Sequence, residues 1–257
     1  MSQNVVVWER REHIALVTLN RPEARNAISP EVSQTMAGIL DEIEDDSSLR
    51  AVVLTGKGEV FSAGADLKVV ASGRANDIAS GKGNFAGIVT RDFPKPIIAA
   101  VNGPALAGGF EIVLSCDLVV AADTARFGIP EAKRGLMAAA GGLIRLPKRV
   151  PLAIALELAM TGDPIDAQRA LQLGLVNRVV PAAQVVDEAI ALADRIGENS
   201  PIAVRNSRQL VREAAELSEA EGWKRTLELM MPVFQSGDAV EGATAFAEKR
   251  APVWKST

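Results

Sequence analysis

Two glutamates twenty positions apart, Glu111 and Glu131, are the residues of this chain best suited to acid–base chemistry. Glu111 follows two glycines and opens the apolar run "FEIVLSC". An unpaired buried carboxylate is costly and usually responds by raising its pKa. Either Glu111 lies on an exposed helix face, or the chain keeps a buried carboxylate for a reason. Glu131, in "FGIPEAKRG", is by itself typical of a solvated acid at a helix start. Together the two could act as an acid and a base.

Two glycine-containing turns, each after a buried strand, could supply free backbone N–H groups. The first is "FSAGADLK" after "AVVLTG", and the second is "ALAGG" after "PIIAAV". A strand-to-helix turn leaves N–H groups unpaired, and these suit an anion or a developing oxyanion. In the alternative reading, the glycines only permit close packing and Asp66 is the N-cap of "LKVVAS".

The scarcity of histidine and cysteine argues against a Cys/His metal site. The chain has one cysteine, Cys116, and one histidine, His13. His13 lies in the alternating run "HIALVTL", which predicts a strand residue rather than a catalytic base. A lone cysteine cannot form an intrachain disulfide, which favours a reducing compartment. We therefore expect no metal and a cytoplasmic protein.

Charge and hydropathy exclude several other classes. The 257 residues include 28 Lys+Arg and 32 Asp+Glu, for a net charge of −4. With no basic excess, the composition predicts neither a nucleic-acid partner nor binding to an anionic membrane surface. No apolar run reaches transmembrane length, and the N-terminus does not resemble a signal sequence. Any anionic ligand must therefore be met by a few local cations.

Strand and helix signals alternate through most of the chain, which predicts an α/β fold. The strand candidates are "NVVVW", "IALVTLN", "AVVLTG", "PIIAAVNG" and "DLVVAA". Ser29 and Pro30 predict a helix start. After Pro151 the pattern becomes mainly helical, with a short strand candidate at "LVNRVV". The small-residue segment 71–87 is predicted to be a mobile loop.

Several of these segments, in this order, resemble the enoyl-CoA hydratase (crotonase) family. They are "GxxFSAGADLK", "NGPALAGGFE", the glutamate in "FGIPE", and "AGGLIRLP". The resemblance extends from "VTLNRPEARNAI" to "EGATAFAEKRAPVW", nearly the whole chain. It implies a crotonase-type spiral of ββα units over residues 1–198. A C-terminal helical section over 199–257 would build homotrimers, often paired into hexamers.

The resemblance also implies a reaction and a role for each matching residue. The reaction is the reversible syn-addition of water to a trans-2-enoyl-CoA, giving a 3-hydroxyacyl-CoA. Glu111 and Glu131 match the catalytic pair, and Ala65 and Gly108 match the two oxyanion-hole amides. No cofactor is implied, since coenzyme A is part of the substrate. The residues that match coenzyme A contacts are Ala63, Ala65, Asp66, Leu67, Lys68, Phe246 and Lys249.

Two departures leave the substrate open. Residues 138–140 are three alanines where the family typically has Pro-Gly-Ala, and Leu143-Ile144 replaces Thr-Gln. The segments "FGIPEAK", "RLPK" and "FAEKRAPVWK" are also similar to carnitinyl-CoA dehydratase, which uses the same two-glutamate plan. A non-catalytic acyl-CoA binder is a further alternative, although binding alone needs neither glutamate.

The C-terminal "AFAEKR" has two interpretations. It could be an amphipathic surface helix with Phe246 packed inward and Lys249 in water. Alternatively, the two residues share a helix face, being three apart. The resemblance then implies that they match a Phe-x-x-Lys helix of the family, which reaches the coenzyme A site of a neighbouring subunit. Lys249 would then be one of the local cations that a chain of negative net charge requires.

Overall fold

A computed structural model of the protein describes residues 4–255. Nine strands within this range form a six-stranded and a three-stranded sheet. In chain order they are β1 (Val6–Arg11), β2 (Ile14–Leu19), β3 (Ala51–Gly56), β4 (Ile97–Val101), β5 (Ala105–Leu106), β6 (Leu118–Ala122), β7 (Arg126–Gly128), β8 (Ile165–Asp166) and β9 (Arg178–Val180). All five predicted strands and the later "LVNRVV" strand are confirmed.

The six-stranded sheet has the order β1-β2-β3-β4-β6-β9 and forms the centre of the core. Only β1 and β2 pair antiparallel, and the other neighbours are parallel. Every residue of β3 and β4 is buried. Their continuous Val, Ile, Leu and Ala runs are typical of parallel strands covered on both faces.

Eleven α-helices connect and follow these strands within the described range. They are α1 (Pro30–Asp45), α2 (Leu67–Ala71), α3 (Ala75–Ile78), α4 (Gly108–Ser115), α5 (Gly142–Arg145), α6 (Leu152–Thr161), α7 (Ala167–Gln172), α8 (Val185–Gly197), α9 (Pro201–Ala214), α10 (Glu219–Phe234) and α11 (Gly237–Glu248). The predicted start of α1 is confirmed, because the Ser29 side chain accepts a hydrogen bond from the Val32 N–H and Pro30 is the first helical residue. Among residues 4–255, no helix is both long and apolar enough to cross a membrane.

Strand topology brings the two glycine-containing turns together. The strands β3 and β4 are parallel neighbours, so the segments that leave them start at the same edge of the sheet. An isolated parallel bridge joins Ser62, in the first segment, to Ala105, in the second. A second bridge joins Ala65 to Ile28, just before α1. The candidate chemistry of both turns is thereby confined to one edge of the sheet.

Two local predictions are wrong. His13 lies in the turn between β1 and β2, where the chain must reverse, and its Nε2 is 3.4 Å from a carboxylate oxygen of Asp194. The segment 71–87 is not one loop, since it contains α3 and a short 3-10 helix at Phe85–Gly87. Phe85 is buried in the core, which small-residue composition did not indicate.

Candidate active site

Two backbone N–H groups, those of Ala65 and Gly108, lie in turns that are in direct contact. A Cβ atom added at Gly64 would lie only 2.7 Å from the Gly108 nitrogen. Among residues 4–255, no hydrogen bond uses either the Ala65 N–H or the Gly108 N–H. Two adjacent unused donors can hold one oxyanion.

The backbone around each donor explains why it is free. Ile28 bonds to both neighbours of Ala65, accepting from the Asp66 N–H (2.9 Å) and donating to the Gly64 carbonyl (2.8 Å). In such a parallel bridge the N–H of the central residue, Ala65, points to the opposite side. Gly108 is the first residue of α4, and the first N–H groups of a helix have no intrahelical acceptor.

Glu111 is buried in the first turn of α4, with 3% of its surface exposed. Its Oε1 accepts hydrogen bonds from the Ala140 and Gly142 N–H groups, both at 2.8 Å. Its Oε2 has no hydrogen-bond partner within the described part of the chain. Burial raises the pKa of Glu111, while the two amides and the charge of Arg145 act in the opposite direction. Glu111 is therefore anchored through one oxygen and free to react through the other.

Glu131 is half-buried in the short 3-10 helix Pro130–Arg134. Its Oε2 is a buried atom with no hydrogen-bond partner. Burial raises the pKa of Glu131 to about 7, and the nearby Glu111 charge adds to the effect. A carboxyl group with this pKa holds a proton for a large share of the time at neutral pH, so it can serve as an acid.

Comparison with known proteins places the chain in a family. The family model described as enoyl-CoA hydratase/isomerase matches residues 9–257. The chain belongs to the enoyl-CoA hydratase/isomerase family. The α/β crotonase fold predicted from the sequence is confirmed by this match and by the solved structures below.

The relatives are similar over their whole length. The curated carnitinyl-CoA dehydratase of Proteus mirabilis is 44% identical over 261 residues, which cover 99% of each chain. The crystal structure of an enoyl-CoA hydratase from Mycobacterium tuberculosis is 45% identical with a TM-score of 0.95, covering 99% of this chain and 100% of that one. A carnitinyl-CoA hydratase structure from Mycobacterium avium is also 45% identical, with full coverage of both chains and a TM-score of 0.78.

The turn that carries Ala65 presents several residues predicted to contact coenzyme A. Ala63, Leu67 and Lys68 are exposed there. The Asp66 carboxylate is different, because it already has internal partners. It accepts a hydrogen bond from the Lys68 N–H at 3.1 Å, as the predicted N-cap of α2, and it pairs with Arg21 at 3.2 Å. Its side chain holds the turn in shape.

The last two predicted contacts lie at the end of α11, far along the chain. Phe246 is 87% exposed, so the interpretation that packs it inward is wrong. The shared helix face is also wrong, because α11 ends at Glu248 and Lys249 has left-handed backbone angles (φ 55°, ψ 40°). Both side chains are nonetheless exposed to solvent.

Sequence reasoning missed the groups that hold Glu111. The Ala140 and Gly142 amides belong to the segment singled out for its departure from the family pattern, but a main-chain donor has no signature in residue type. The one signal was Gly142, where an added Cβ would lie 3.0 Å from both Cγ and Oε1 of Glu111. In the range 4–255, no group of three or more His, Cys, Asp or Glu residues is placed to bind a metal ion.

Proposed function

We propose that this chain is a hydro-lyase that adds water reversibly to a trans-2-enoyl-CoA, giving a 3-hydroxyacyl-CoA. The observation that carries the proposal is the pairing of a buried carboxyl, that of Glu111, with a half-buried one, that of Glu131, in different surroundings. Glu111 is fixed by two amides, whereas Glu131 has a pKa of about 7 and a buried oxygen without a partner. Different environments for two carboxyls are how one site supplies both a base and an acid.

The residues then have defined tasks in the addition. The free oxygen of Glu111 takes a proton from a water molecule as the water oxygen bonds to C3 of the substrate. Glu131 delivers its own proton to C2, and the carbon–carbon double bond becomes single. The N–H groups of Ala65 and Gly108 hold the thioester oxygen as negative charge develops there. A later proton exchange from Glu111 to Glu131 restores the starting state.

An acyl-CoA thioester as substrate agrees with the family to which the chain belongs. We further propose that coenzyme A enters only as part of the substrate, with no other cofactor. Its contacts would come from Ala63, Ala65, Asp66, Leu67 and Lys68, the last being an exposed cation at the turn. A cytoplasmic location belongs to the same proposal and rests on the lone buried cysteine.

The C-terminal helices support an oligomer, which we propose to be a homotrimer or a hexamer of two trimers. We place the boundary between core and oligomerisation section at residues 198/199, between the end of α8 and the start of α9. Exposed apolar side chains concentrated in one region usually mark an interface. Those beyond this boundary are Val211, Trp223, Leu227, Met231, Phe234, Val240, Phe246 and Val253. Phe246 and Lys249 would contact coenzyme A bound to a neighbouring subunit.

Glutamine substitutions at the two glutamates test the function. We expect Glu111→Gln and Glu131→Gln each to lower hydration of crotonyl-CoA by about 10²–10⁴-fold. Acyl-CoA binding by calorimetry should persist, because neither carboxyl is part of the coenzyme A turn. The double variant should lose less than the product of the single losses, since both groups act on one water. Near-normal turnover by either single variant would contradict the mechanism.

Carnitinyl-CoA dehydration is the second candidate, favoured by the 44% identity to the Proteus mirabilis enzyme. It uses the same chemistry in the direction of water loss and differs in the acyl group. Dehydration of carnitinyl-CoA and of 3-hydroxybutyryl-CoA, compared by kcat/KM with the same preparation, separates the two. A preference for carnitinyl-CoA would replace the first candidate. Binding of acyl-CoA with no turnover of either would favour a non-catalytic binder.

A further inference from the structure

Arg145, at the end of α5, connects two loops that both contribute to the active site. Its Nη1 donates a hydrogen bond to the Ala140 carbonyl at 3.3 Å. Its Nη2 donates to the Val89 carbonyl, 56 positions earlier in the chain. One planar guanidinium therefore joins the loop before α5 to the loop that follows Phe85–Gly87.

The Ala140 peptide group links Arg145 to Glu111. Its carbonyl accepts from Arg145, while its N–H donates to Glu111 Oε1. Arg145 therefore holds the peptide group of Ala140 through its carbonyl, and Glu111 is held by the N–H of the same peptide segment. A displacement of residue 140 would move the anchored oxygen of Glu111 with it.

The loop at the other end of the link is held by contacts with α1 and with the oxyanion turn. Asn84 and Ala86 both have a positive φ, of 57° and 54°, which is uncommon for residues other than glycine and persists only where the surroundings impose it. Ser33 of α1 accepts a hydrogen bond from the Ala86 N–H at 3.0 Å. Between these residues, Phe85 packs on the oxyanion turn, since a Cβ added at Gly108 would lie 2.4 Å from its Cζ.

In the described part of the chain, no ion pair explains the position of Arg145 in place of its two hydrogen bonds. Within the described residues, no carboxylate oxygen lies within ion-pair distance of its guanidinium. Burial lowers the pKa of Arg145, and the nearby Arg212 and Arg149 act in the same direction. Glu111 and Cys116 act in the opposite direction. Glu111 in turn interacts electrostatically with both Arg145 and Glu131.

From this geometry we propose that Arg145 is a positioning residue for the reaction: it fixes the Ala140 amide against the Val89 loop and so holds Glu111 in place relative to the oxyanion hole. The inference rests on the proposed function. Arg145 also carries a charge that favours ionised Glu111, the form that can accept a proton from water.

Three variants separate this role from ordinary structural support. Arg145→Met removes the charge and both hydrogen bonds, whereas Arg145→Lys keeps the charge without the two-armed contact. Arg149→Met is the matched control. Arg149 is also a partly buried arginine of the same segment, but it donates to the Cys116 carbonyl at 2.8 Å and does not contact residue 140.

With crotonyl-CoA, we expect Arg145→Met to lower kcat by on the order of 10–100-fold, because a misplacement of about 1 Å can cost that much. KM should change little, since Arg145 is not part of the coenzyme A turn. The acid limb of kcat/KM against pH should move to higher pH for Arg145→Met and stay in place for Arg145→Lys. The kcat of Arg145→Lys should fall between those of Arg145→Met and the wild type. Arg149→Met should match the wild type in both measurements.

A direct titration of Glu111 keeps this inference independent of turnover. Subtracting the infrared spectrum of Glu111→Gln from that of the wild type leaves the carboxyl signal of Glu111, which can be followed against pH. The same subtraction on an Arg145→Met background shows how far the titration of Glu111 moves when Arg145 is removed. We expect Glu111 to hold its proton to higher pH without Arg145. A folded Arg145→Met protein with unchanged kcat, with the same loss as Arg149→Met, or with an unmoved Glu111 titration would overturn the proposal. If Arg145→Met does not fold, unchanged kcat in Arg145→Lys would overturn it. A wild-type protein without turnover would refute the proposed function alone.

Discussion

Replacing Glu131 with glutamine should make the protein more stable while removing its activity. Burial raises the pKa of this carboxyl from 4.5 to about 7. The folded state therefore binds the proton more tightly than the unfolded chain does, and the ionised form destabilises the folded state. This penalty is nearly absent below pH 4.5, grows between pH 4.5 and 7, and is complete above pH 7. Glutamine cannot ionise, so the variant avoids it.

The size of the effect follows from the same pKa values. A rise from 4.5 to about 7 is worth about 3.4 kcal/mol at 1.36 kcal/mol per pKa unit. The side chain is only half-buried, so solvent screening lowers this figure, and we expect about 1.5 kcal/mol. For a chain of this size each kcal/mol raises Tm by about 2–4 °C, which gives roughly 3–6 °C.

Thermal melts of the wild type and Glu131→Gln at pH 8.5 and pH 5 test this reasoning. The gain in Tm should appear at pH 8.5 and largely vanish at pH 5, where the folded wild type is already protonated. Glu157→Gln is the control, because Glu157 is an exposed glutamate of α6 and its substitution should leave Tm unchanged at both pH values. Equal gains at both pH values, or a loss at pH 8.5, would refute a buried, destabilising carboxylate at position 131.

Three further substitutions probe the rest of the site. Ala65→Pro removes one oxyanion donor and should lower kcat by about 10²–10³-fold. If circular dichroism shows a folded variant and its turnover is that of the wild type, the Ala65 N–H is not an oxyanion donor. Gly142→Ala places a Cβ 3.0 Å from Glu111 Oε1 and should lower kcat more than KM; equal turnover would show that the Glu111 contacts are not needed. Lys249→Glu should raise KM for crotonyl-CoA with a smaller effect on kcat, and salt should raise the wild-type KM. An unchanged KM at low salt, or a fully active monomer by sedimentation, would contradict a coenzyme A contact across subunits.

Much of the fold was predictable because it depends on patterns of neighbouring residues in the sequence. Continuous apolar runs marked β3 and β4, and Ser29 with Pro30 marked the start of α1. The sequence also indicated that Glu111 could be a functional residue rather than a surface one, because a carboxylate at the head of an apolar run is unusual. The burial of Glu111 agrees with that indication.

Other features depend on contacts between distant segments, which leave little trace in local sequence. Lys249 could be recognised as a cation, but not as the residue that ends α11 with left-handed backbone angles. The composition of 71–87 indicated a loop, whereas Phe85 is held in the core by contacts with α1 and α4. Arg145 bonds to Val89, 56 positions earlier in the chain, and no short sequence pattern predicts such a contact.

The use of backbone amides to hold Glu111 has a consequence for how this active site can change. Every residue except proline supplies an N–H, so position 140 can accept new side chains while its donor remains. The alanines at 138 and 139, which replace the family's usual Pro-Gly, therefore leave the base anchored. Side chains can be varied at the exposed residue 139 and the half-buried residue 140, whereas Ala138 is buried in the core and Gly142, which contacts the carboxylate, must stay small. The anchor of Glu111 can thus stay constant while neighbouring side chains of the same segment change.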